Sequence, residues 1–96
     1  MIKFKDLEFE KTFGGVGATH TFNNGITISV QAGSGIYSTP KENLTSSDQF
    51  SSFEVAMWDE DREWVTKDFV SDAGDDVLGW KSRDEINALM LLIQDK

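Results

Sequence analysis

The clearest alternation in the chain is Phe53-Glu54-Val55-Ala56-Met57-Trp58. Phe53, Val55 and Met57 fall on one face and Glu54, Ala56 and Trp58 on the other, the period of a strand with one side against a core. Ile2 and Phe4 alternate with Lys3 and Lys5, and Leu7, Phe9 and Phe13 continue on the opposite parity. That change predicts a bulge or tight turn near Asp6 between two short strands. After Gly14-Gly15-Val16-Gly17, residues 18–22 and 26–30 flank Asn23-Asn24-Gly25. A three-residue loop pairs Phe22 with Ile26, His20 with Ile28 and Ala18 with Val30, and gives Gly25 the left-handed position. A two-residue loop would turn Ile28 and Val30 away from Phe22, so face consistency selects the longer one.

Residues 32–51 are small and polar and include the only proline, Pro40. They form a long loop, functional or disordered, with Ile36-Tyr37 open to extending the strand before it and Leu44 or Phe50 as anchors. Asp59-Glu60-Asp61-Arg62 predicts a turn, and Trp64 to Phe69 a returning strand with Met57 opposite Trp64. Ser71 to Gly79 reads as an acidic connection, with one helical turn left open within it. Ser82-Arg83-Asp84-Glu85 is a capping box, with the acidic pair at the positive end of the helix dipole. Ile86, Leu89, Met90 and Ile93 then recur at helical spacing and face the sheet. Ala88, Leu91 and Leu92 form a second stripe turned away from it. The elements predict an α+β domain over 1–96: a four- to five-stranded, mainly antiparallel sheet with one C-terminal helix packed on one face.

A chain of 96 residues with seven Phe and three Trp can bury one core, at roughly 60–70% of its unfolded surface. Its net charge is −8, unevenly spread. Residues 1–48 hold four basic against five acidic side chains, and residues 49–96 five against twelve. Phosphate contacts need clustered Lys and Arg, so nucleic acid and anionic membrane surfaces are poor partners. The field permits a protein partner with a basic surface, and net charge of this size is equally ordinary for solubility alone. With no cysteine, thiolate chemistry and disulfides are excluded. Met1-Ile2-Lys3-Phe4 enters the alternating pattern directly and no long apolar run follows, so a cytoplasmic location is expected.

Little of the remaining chemistry is specific. His20 is the only histidine and reads as a packed or half-exposed strand residue opposite Ile28. Gly14-Gly15-Val16-Gly17 precedes a strand where a phosphate loop would precede a helix. Asp59, Glu60, Asp61 and Glu63, and again Asp72, Asp75 and Asp76, are oxygen-rich, but both lack the spacing of a calcium loop and read as solvated turns. Glu54 falls on the outward face, which leaves no buried carboxylate for acid–base work. No cofactor is expected. Trp58 is predicted outward beside the acidic turn, either an exposed hot spot or covered by the long loop or the second acidic segment. Trp80 is expected to wedge the helix against the sheet.

Three blocks together resemble a group of small proteins of tailed bacteriophages and prophages. They are residues 22–30, residues 53–57, and Asp75-Asp76-Val77-Leu78-Gly79-Trp80 before the last helix. The similarity spans roughly 20–93. Two departures stand out: the familiar pattern has glycine in the second turn, where this chain has Arg62, and a shorter connection than 32–51. The resemblance supplies no catalytic residues. It implies a phage setting, in which small acidic proteins bind and block host enzymes, among them defence and nucleic-acid-handling enzymes. The leading expectation is a non-enzymatic inhibitor of a host protein, with Trp58, Asp59, Glu60, Asp61 and Glu63 at the contact and Asp72, Asp75 and Asp76 extending it. One alternative is an assembly module that self-associates, as a homodimer for example, through Ala88, Leu91 and Leu92. Another is a small metal-dependent hydrolase using the acidic loops.

Overall fold

In the computed structural model, which describes residues 1–70 and 76–95, the chain is an α+β fold. Five antiparallel strands lie in sequence order: β1 Glu10–Lys11, β2 Gly15–Thr21, β3 Thr27–Gly33, β4 Phe53–Trp58 and β5 Val77–Lys81. The short helix α1, Thr66–Phe69, precedes β5, and α2, Arg83–Gln94, follows it.

The register agrees with face consistency. Ala18 pairs with Val30 and His20 with Ile28, while Ile28 pairs with Met57 and Val30 with Val55. The Phe22 N–H donates to the Ile26 carbonyl, and Gly25 takes φ 88. One sheet face therefore collects Val16, Ala18, Ile28, Val30, Phe53, Val55, Met57 and Leu78. α2 closes that face with Ile86, Leu89, Met90 and Ile93, all buried in the same core. Ser82 caps the helix as predicted, its hydroxyl accepting from the Glu85 N–H while the Glu85 carboxylate accepts from the Ser82 N–H. That last bond holds the Glu85 carboxyl below the ordinary glutamate value against a slight opposing effect of burial. Its contribution is therefore present above the ordinary glutamate range and lost as pH falls through the lowered value.

Four differences from the sequence pattern have local causes. Residues 4–6 form a 3₁₀ turn, with only Glu10–Lys11 as strand nearby. Phe4 and Leu7, three apart, both reach the core, as such a turn permits. The returning strand expected over Trp64–Phe69 is instead one bridge, Trp58 with Trp64, followed by α1. Val65, Phe69 and Val70 pack on the core from there, at helical rather than alternating spacing. The place beside β4 belongs to Val77–Lys81, part of which reads in sequence as a connection. Trp80 does not wedge the helix: it is exposed and stacks on Tyr37.

The polar segment after β3 is packed at several points. Phe50 is buried and Leu44 partly so. The buried Ser38 hydroxyl accepts from the Gly33 N–H and donates to the Pro40 carbonyl, both at 3.0 Å. Arg83 donates to the Ser47 carbonyl at 2.7 Å and lays its guanidinium over the rings of Phe4 and Phe53. The first residues are fastened to α2 by amides: Asn87 accepts from the Phe4 N–H, and Gln94 bonds both the N–H and the carbonyl of Ile2. Among the described residues no helix is long and apolar enough to cross a membrane.

Candidate functional site: an acidic, tryptophan-bearing sheet end

The turn after β4 is organised by Asp59. Its Oδ1 accepts from the Asp61 and Glu63 N–H groups, at 2.9 and 3.0 Å, and its own N–H donates to the Glu63 carbonyl. An aspartate bonding the backbone two residues ahead is a turn former by nature. Asp59 is half-buried, so its carboxylate serves the turn, while Glu60, Asp61 and Glu63 are exposed. Arg62 sits at φ 66. Left-handed backbone costs a non-glycine residue about 1–2 kcal/mol, partly offset by the looser unfolded chain of glycine. Arg62→Gly should therefore raise the melting temperature by a few degrees, about 0.5–1 kcal/mol; a scanning calorimetry trace showing a fall would contradict this.

Closing the turn at Glu63 places Trp64 opposite Trp58, their rings edge to face with centroids 5.8 Å apart. Trp58 is half-buried and Trp64 is 53% exposed. The outward aromatic surface thus belongs largely to Trp64, whose partner is Trp58 and not the Met57 that a four-residue loop predicts. A five-residue loop opened by a turn-forming aspartate was the signal for the correct pairing. Glu60 reaches back against Gly25 of the β2–β3 hairpin, so the acidic turn and the hairpin share one end of the sheet.

Asp76 lies at the same end, its carbonyl accepting from the buried Thr66 hydroxyl at 2.6 Å. Asp72 and Asp75 lie outside the described residues. Among the described residues no group of three or more His, Asp and Glu is placed to hold a metal ion. His20 is half-buried, edge-on to Phe22 at 4.8 Å. Glu54 accepts from the Tyr37 N–H at 3.0 Å on the face opposite α2. The helix residues Ala88, Leu91 and Leu92 are exposed and turned from the core. Compared with protein-family models, curated proteins and solved structures, the chain matches none.

Proposed function

We propose that this chain is a non-catalytic binding protein of phage type, which inhibits a host protein by docking its acidic sheet end on a basic surface. The observation that carries this reading is Trp64, half-exposed at the close of a turn that Asp59 fixes and that exposes Glu60, Asp61 and Glu63. A large aromatic on a pre-ordered turn gives contact area with little ordering entropy left to lose. The surrounding carboxylates supply attraction and orientation toward a cationic partner. The inhibitory half of the proposal rests on the phage resemblance.

The test is capture from a bacterial lysate on the immobilised chain at low salt. The expected result is a discrete bound protein, lost as salt rises toward about 0.5 M, where screening falls below ~5 Å. Trp64→Ala should weaken its binding about thirtyfold, the size of a hot-spot loss. The triple variant Glu60→Lys, Asp61→Lys, Glu63→Lys should abolish it. Capture that is indifferent to both variants and to salt overturns the proposal.

A further inference from the structure

The sheet face without the helix carries a second aromatic cluster, at the other end of β4. Tyr37 and Trp80 stack with ring centroids 5.0 Å apart and planes 25° from parallel, and are 49% and 55% exposed. The pair is held rather than loose. The Tyr37 N–H is bonded by the Glu54 carboxylate, and the Tyr37 carbonyl accepts from the Trp80 N–H at 2.9 Å. Gly79 leaves room for the Tyr37 side chain, which a Cβ there would meet at 2.9 Å. Trp80 itself sits at φ 53 beside the irregularity between β4 and β5. A left-handed backbone at so large a residue is an outlier costing about 1–3 kcal/mol, the kind of strain that gathers at ligand clamps.

The two aromatic clusters are in line. Glu54, Ala56 and Trp58 share the helix-free face of β4, with Val77 of β5 paired to Ala56. Tyr37 and Trp80 stand at the Glu54 end, Trp58 and Trp64 at the other. Four strand intervals separate the ends, about 13 Å at ~3.3 Å per residue. Tyr37 already holds a cation, the Lys41 ammonium 5.1 Å from its ring centroid. Tryptophan is the best such acceptor, and the Trp80 ring is open to solvent. The strand carries Glu54 at one end and the acidic turn at the other.

The geometry points to the helix-free face of β4 and β5 as a track for an extended basic segment of a protein partner, with Tyr37 and Trp80 as its second anchor. This rests on the acidic-end reading and specifies its ligand: a strand-like segment bearing two cationic side chains about four residues apart, ~13 Å. Each would lie on an aromatic cluster, with carboxylates beside it.

The test is a tryptophan-fluorescence titration of the full chain, at low salt, with a synthetic peptide of about twelve residues carrying two arginines four positions apart. Controls place the arginines adjacent or replace both with glutamine. The spaced peptide should bind at least about tenfold tighter than either control. Trp80→Gly removes the ring and relieves the strained backbone, so the fold should persist while affinity falls at least about tenfold. Tyr37→Ser, an exposed change, is the second variant and should weaken binding likewise. Equal affinity for the spaced and adjacent peptides, no saturation by about 1 mM peptide, or wild-type affinity in both variants overturns the inference. Lysate capture that depends on Trp64 and Glu60 but not on Trp80 would leave the acidic-end proposal standing alone. Loss of that dependence would remove both.

Discussion

Phe53→Ala is expected to cost about 3–5 kcal/mol, the range for deleting a fully buried phenyl ring. Phe53 is completely enclosed. Its ring lies 5.0 Å from Phe4, 5.8 Å from Phe9 and 6.2 Å from Phe50, with the Arg83 guanidinium 5.1 Å away. It therefore joins the N-terminal turn, the polar segment after β3 and the start of α2 at one point. These neighbours come from different parts of the chain and cannot all move inward, so most of the cavity would remain. A domain of this size has roughly 5–15 kcal/mol to lose, and each 1 kcal/mol moves its midpoint about 4–8 °C. The midpoint should drop by at least about 12 °C in a thermal melt. Phe13→Ala is the control, because that ring is fully exposed and should matter by less than about 0.5 kcal/mol. Similar drops for the two variants would remove Phe53 from the centre of the core.

The second large effect is expected from one hydroxyl. Thr66 is fully buried. Its Oγ1 donates to the Asp76 carbonyl at 2.6 Å and accepts from the Met57 N–H at 3.1 Å. It thus takes the place of a strand partner where β5 has not yet begun beside β4. Thr66→Val keeps the shape and leaves both backbone groups without that partner. The buried Met57 N–H is the group that loses most, and an unsatisfied buried donor costs about 1–3 kcal/mol, so urea unfolding should show a loss of that size with an unchanged m-value. A loss below about 0.5 kcal/mol would mean that the Met57 N–H finds another partner.

The elements legible in the sequence were those whose signal is local and repeated. α2 announced itself through Ser82, Glu85 and a helical stripe, and its buried residues are the predicted ones. The hairpin register followed because only one pairing puts Phe22, Ile28 and Val30 on the same side. The acidic turn was legible as a turn, but the inward role of Asp59 needed its bonds to the Asp61 and Glu63 N–H groups. What escaped depends on partners far along the chain. α1 holds a buried threonine whose value lies in Met57 and Asp76, and neither marks a short helix in sequence. Val77-Leu78-Gly79-Trp80 is short and follows acidic residues, and its glycine hid a strand that bends around Tyr37. The stacked aromatic pair was invisible for the same reason, since β4 and α1 lie between Tyr37 and Trp80 in sequence.

The amide ties at the start of the chain carry a consequence for biosynthesis. Ile2 is bonded on both sides by Gln94, 92 positions later. A growing chain emerges N-terminus first, at about 5–20 residues per second. Ile2 and Phe4 therefore stay without these partners until α2 has been made. Completion of this fold is a step that follows translation of residue 94 and cannot precede it.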